Sequence, residues 1–81
     1  MNAQQLDERV LQIFLSIAAD VDPQQLQRDV PFRDQFDFDS MDLFNFAAAL
    51  HERLGVDIPE RDYRKVMGLR KCADYLRGKL K

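Results

Sequence analysis

An all-α fold, a small bundle of three main helices and one short helix, is predicted on three observations. Apolar residues recur at helical spacing in three separate stretches, no segment alternates with the two-residue period of a strand, and the breaks at Pro23, Pro31, Gly55, Pro59 and Gly68 fall between the periodic stretches. The chain has 81 residues, room for one hydrophobic core and for no second catalytic lobe, so a single domain spanning 1–81 is expected. Its composition, 46% hydrophobic and 32% charged, supplies a core and carries too much charge for a membrane protein.

The first helix is expected from about Gln5 to Asp20, where Leu6, Val10, Ile13, Ile17 and Val21 form a stripe that Phe14 and Ala18 widen. Asp22-Pro23 pairs a capping residue with a proline suited to a first turn, but Val30-Pro31 follows so soon that any helix here is one short turn. The segment to Phe38 reads as a long loop, with Leu26, Val30, Phe32 and Phe36 available to pin it. Asp39 is a good N-cap for a second main helix running through Leu54 and ending at Gly55, which suits a left-handed position; Leu43, Phe46, Ala47, Leu50 and Leu54 make its inner face. Pro59 to Val66 reads as the short helix, with proline at the first helical position and Glu60 and Asp62 at the end that favours acids; Tyr63, Val66 and, marginally, Met67 face inward. The last helix starts near Gly68 and buries Leu69, Cys72, Ala73, Leu76 and, marginally, Leu80, with Lys79 and Lys81 at its negative end. Val56 and Ile58 close the core between the helices.

The net charge is -2, but residues 1–59 hold eleven acids against four bases and residues 60–81 three against eight. Asp34, Asp37, Asp39 and Asp42 form the densest acidic stretch, which repels nucleic acid and attracts a basic protein surface. The bases from Arg61 to Lys81 are scattered around a helix and read as a solvated surface, so no nucleic-acid partner is expected. Cys72 is the only cysteine and His51 the only histidine, which excludes an internal disulfide and a Cys/His metal cluster. A calcium loop counted from Asp37 has Asp42 where glycine is needed and Ala48 where an acid is needed. Ser40 and His51 lie roughly 16 Å apart along one helix, too far for a nucleophile and its base. The apolar stretches Val10–Ala19 and Leu43–Leu50 are too short to span a bilayer, and Met1-Asn2-Ala3-Gln4-Gln5 lacks the basic start of a signal peptide. A cytoplasmic monomer that is not an enzyme is expected.

The candidate chemistry is Asp39-Ser40-Met41-Asp42, a hydroxyl in the first turn of a helix after a long loop. A phosphodiester on Ser40 would lie beside unpaired amides and the positive end of the helix dipole. Taken alone, the same four residues are more commonly just a cap, with Asp39 and Asp42 closing a box.

The longer segment Phe32-Arg33-Asp34-Gln35-Phe36-Asp37-Phe38-Asp39-Ser40-Met41-Asp42 resembles the signature of the acyl and peptidyl carrier protein family, an aromatic, an acid, then Asp-Ser-Leu. Leu50 through Pro59 resembles that family's helix end and Ile-x-Ile-Pro stretch; Leu69 through Leu76 resembles the opening of its last helix, and Glu8-Arg9-Val10 with Ile13 the start of its first. The resemblance implies that Ser40 receives a 4'-phosphopantetheine arm from coenzyme A through a phosphopantetheinyl transferase. It further implies that the arm's thiol carries acyl, aminoacyl or related cargo as thioesters to activating and thioester-processing enzymes.

Departures from the family pattern bear on partners. Met41 stands where leucine is usual, as in D-alanyl carrier proteins; Asp37 replaces a common glycine and Met67-Gly68 the usual threonines. Phe38 replaces a small residue just before the serine, where it either docks a partner, shelters the arm or tucks against the loop. Asn45 and His51 dilute a face often acidic in fatty-acid-synthesis carriers, which points to a specialised lipid, polyketide or peptide pathway. Asp39, Asp42 and Glu52 are the candidate contacts to basic partners, with Met41 and Phe44 adding apolar contact. Phe44, beside Ala47, Ala48 and Ala49, is also a candidate for lining space for a chain. The alternative is a helical interaction module with the same acidic helix that is never modified.

Overall fold

The computed structural model describes residues 2–80. These form α1 (Ala3–Ile17), α2 (Phe32–Gln35), α3 (Ser40–Leu54), a 3-10 helix (Glu60–Val66) and α4 (Leu69–Lys79), with no strand among the described residues.

Helix α1 starts earlier than its apolar stripe implies, because Asn2 and Gln5 close a capping box. Asn2 Oδ1 accepts from the Gln5 amide at 2.8 Å, and Gln5 Oε1 accepts from the Asn2 amide at 3.0 Å. It also ends at Ile17, short of Asp20. Near that end Ser16 Oγ donates to the Ile13 carbonyl at 2.6 Å, a side-chain bond that competes with helical pairing. Val21 still packs against the core, but from a turn closed by its amide on the Ala18 carbonyl at 3.1 Å.

The expected helical turn at Asp22-Pro23 is an Asx turn, in which Asp22 Oδ1 accepts from the Gln24 amide at 3.0 Å. The short helix lies instead at Phe32–Gln35, inside the expected loop. Gln35 is the clamp: its side chain exchanges two 2.8 Å bonds with the Gln27 backbone and gives a third, also 2.8 Å, to the Val30 carbonyl. The Phe32 amide then donates to the Met67 carbonyl at 2.7 Å, which ties the loop to the segment before α4.

Phenylalanines fill the centre. Phe14 of α1 stacks on Phe32 at 4.1 Å with ring planes 17° apart, and Phe46 of α3 meets both rings edge-on at 5.6 Å. Around them pack Leu6, Val10, Ile13, Leu43, Leu50 and Leu76, with Val56 and Ile58 buried as expected. Leu54 is only half-buried, and Leu80 is 42% exposed, because α4 ends at Lys79 and carries its last residue past the edge of the core. Lys81 lies outside the described residues.

Gly55 ends α3 in the left-handed region at φ 67°, with its amide on the His51 carbonyl at 2.9 Å. Pro59 caps the next helix from extended backbone rather than serving as its first residue, and the segment winds as 3-10. No side chain caps it. Val66 anchors it in the core, and the Tyr75 hydroxyl of α4 donates to Asp62 Oδ2 at 2.7 Å.

Candidate functional site

Ser40 is the first residue of α3 and is exposed. Asp39, extended at φ -97° and ψ -175°, accepts from the Asp42 amide at 2.9 Å, while Asp42 Oδ2 accepts from the Asp39 amide at 3.1 Å. The capping box is therefore real, and it encloses the serine. The Ser40 and Met41 amides stand in the first turn, where the helix supplies no acceptor of its own. The cap takes one oxygen from each carboxylate, and neither aspartate forms an ion pair among the described residues.

Of the alternatives for Phe38, docking a partner, sheltering the arm or tucking against the loop, the structure takes the buried one. The ring is only 7% exposed and packs against Phe14 at 5.8 Å and Phe32 at 5.2 Å. A benzyl group beside two other rings gains more from burial than from water. It anchors the backbone two residues before Ser40 and so fixes where the hydroxyl emerges. The side chains that do stand out are Met41, 65% exposed, and Phe44, 54% exposed, one turn apart on α3. Phe44 lies edge-on to Tyr63 at 6.3 Å, on the outside of the bundle, while Ala47 faces the core. Glu52 is exposed near the far end of α3.

On its other side Ser40 borders a groove of about 430 Å3 between α3, α4 and the 3-10 helix. Phe38, Leu43, Met67 and Pro31 give it an apolar lining, and Arg33, Arg64 and Lys71 place three cations on it. Their convergence is absent from the sequence reading, which took the C-terminal bases as scattered. Arg64 and Lys71 come from two later helices, and no local spacing marks residues that meet only when the chain folds back.

Catalytic candidates stay apart. His51 sits near the opposite end of α3 from Ser40, its Nδ1 bonded to the Val56 carbonyl at 2.9 Å, where it secures the turn after the helix. Cys72 is buried among apolar side chains, which pushes its thiol far above the ordinary range and leaves no thiolate to react. No group of side chains suited to holding a metal occurs among the described residues, nor is any helix there long and apolar enough to cross a membrane.

An exposed hydroxyl in the first turn of a long helix, with two amides free beside it, is a place where a covalently attached phosphate can be held. The profile of the family described as phosphopantetheine attachment site matches residues 8–76. The chain is 31% identical over 72 residues to the acyl carrier protein of Rubrobacter xylanophilus, covering 85% of this chain and 89% of that protein. It is 28% identical over 80 residues to the acyl carrier proteins of Guillardia theta and of Thermosynechococcus vestitus, covering 99% of this chain and 98% of each. The chain belongs to the acyl carrier protein family. It is a carrier of covalently attached 4'-phosphopantetheine and not an enzyme, and its family's partners are phosphopantetheinyl transferases and acyl-processing enzymes.

Proposed function

We propose that Ser40 Oγ is the attachment point of the arm, and that the protein delivers acyl, aminoacyl or related cargo to partner enzymes in a specialised lipid, polyketide or peptide pathway. One observation carries the reading: Ser40 is the exposed first residue of α3, within the capping box and at the serine of the family-like signature. The residues there fit a phosphodiester, with two first-turn amides beside the hydroxyl and three cations on the adjoining groove.

The chain's own residues do the positioning. Phe38 and the Asp39–Asp42 box hold the first turn of α3 still, so a transferase meets the hydroxyl in one orientation. When bound, the arm supplies a thiol that holds cargo as a thioester, which raises its effective concentration at each partner site. Asp39, Asp42 and Glu52 present negative charge to basic partners, while Met41 and Phe44 provide a small apolar contact between them. Such a surface gives fast, weak, salt-sensitive docking, as a shuttle requires.

Intact mass spectrometry after incubation with coenzyme A and a broad-specificity phosphopantetheinyl transferase tests the reading. A gain of one phosphopantetheine on the natural sequence, and none on Ser40→Ala, is expected. No gain with several transferases moves the assignment to a helical interaction module that works unmodified.

A further inference from the structure

We infer that this carrier holds its cargo outside the bundle, and that the cargo is accordingly short or polar, a small acyl or aminoacyl group and not a long alkyl chain. The inference rests on Ser40 being the attachment point and narrows what the arm carries. A long alkyl chain left in water keeps its apolar area wet, so a carrier of such chains needs a dry interior that can open to admit one. The centre of this bundle is already full. Phe14 meets the rings of Phe32, Phe36, Phe38 and Phe46 at 4.1–6.1 Å, and Phe14, Phe32, Phe46, Leu50, Val66 and Leu76 are all 0% exposed. Side chains with no accessible surface border neither solvent nor a void that would admit a water molecule.

The same centre resists being opened. An entering chain needs its neighbours to move aside, and a phenyl ring does so poorly, because it is rigid and must leave a stacked or edge-on partner. Methionine, the apolar side chain that re-packs most readily, is absent from the buried core of the described residues. The 3-10 helix packs on both α3 and α4 and is tied down twice: Asp62 Oδ2 accepts from the Tyr75 hydroxyl at 2.7 Å, and the Met67 carbonyl just beyond accepts from the Phe32 amide at 2.7 Å. Methylenes forced into a filled core strain it. Outside, grooves of about 200, 280, 430 and 450 Å3 open to solvent, and each is lined by four or five charged side chains, so none gives a long chain the dry enclosure that the interior refuses. Phe44, a candidate for lining space for a chain, is 54% exposed on the outside of the bundle. A short acyl or aminoacyl group needs no enclosure.

The test loads the natural protein with acetyl, butyryl, octanoyl and dodecanoyl arms, using the matching acyl-coenzyme A and a broad-specificity transferase, each product verified by intact mass. The urea midpoint, the amide chemical shifts of Phe46, Val66 and Leu76, and retention on a hydrophobic-interaction column are then compared along the series. Midpoint and core shifts are expected to stay level while retention climbs with chain length, since an unenclosed chain meets the column. A midpoint that rises with chain length, core amides that move, or retention that stays level overturns the inference and leaves the attachment reading intact. Phe46→Ala makes room in the core, and its octanoyl form is expected to regain part of the midpoint that the substitution loses. A folded Phe46→Ala protein indifferent to chain length overturns the rings as the cause of exclusion. If that variant does not fold, the natural series alone decides. Failure of the natural protein to gain mass at Ser40 overturns the attachment reading and the inference together.

Discussion

Helices α1 and α3 are each 15 residues long and open with the same device, a reciprocal capping box, yet the two boxes differ in charge. At α1 the pair is Asn2 and Gln5; at α3 it is Asp39 and Asp42. The bond lengths match closely, 2.8 and 3.0 Å against 2.9 and 3.1 Å, so closing a helix start does not require carboxylates. The acidic box gains about 0.3–1 kcal/mol from the helix dipole. It also sets two negative charges around the hydroxyl proposed to receive a phosphate, an unfavourable neighbourhood unless something offsets it. The three groove cations do so on one side, and the carboxylates remain to attract basic partners on the other.

The comparison can be broken first at the anchor that only α3 has. Phe38→Ala removes a buried ring that fixes the start of α3, and urea unfolding should show a loss of about 3–5 kcal/mol. The comparison sharpens when the α1 box is copied onto α3 as Asp39→Asn with Asp42→Gln. Stability should then change by no more than about 1 kcal/mol, whereas the initial rate of arm transfer at low salt should fall about tenfold, the gap closing as salt rises. Unchanged transfer at low salt would mean that the carboxylates serve the cap alone. At the neutral box, Asn2→Ala should cost about 1 kcal/mol in urea unfolding and leave transfer kinetics as they were.

The 3-10 helix provides the third case, since it has no capping side chain and is held by the Tyr75–Asp62 bond. Accepting that bond holds the Asp62 carboxyl below its ordinary 3.8, with Lys65 and Arg61 pulling the same way against some burial. Its contribution is whole above 3.8 and is lost as pH falls through the depressed value. Burial, and then the bond itself, push Tyr75 up from 10.0 to about 12, so its contribution is whole below 10 and is lost as pH rises toward 12. Tyr75→Phe should therefore lower the unfolding midpoint most near neutral pH, with the difference from the natural protein shrinking at both extremes. A variant whose midpoint matches the natural protein's at every pH would show that the ring, which phenylalanine keeps with the Lys79 ammonium 5.5 Å from its centre, outweighs the hydroxyl.

How much of this was legible beforehand depends on distance along the chain. Apolar spacing located the three main helices, Asp39 and Gly55 marked both ends of α3, and Val56 and Ile58 took their places in the core. The helices and their caps rest on interactions within about four residues, the reach of a helical turn. The Asn2–Gln5 box was equally local, an Asn-x-x-Gln start that apolar periodicity alone passes over. The helix at Phe32–Gln35 was not local, because Gln35 reaches back to Gln27 and Phe32 bonds to Met67. Nor was the burial of Phe38, which needs a ring from α1, or the groove, which needs a cation from each of α2, the 3-10 helix and α4. The sequence by itself therefore determined the three main helices, both ends of α3 and the serine at its start. Tertiary structure alone decided which aromatic is anchor and which is surface, and which charges surround that serine, because burial and charge convergence exist only once distant segments close on one another.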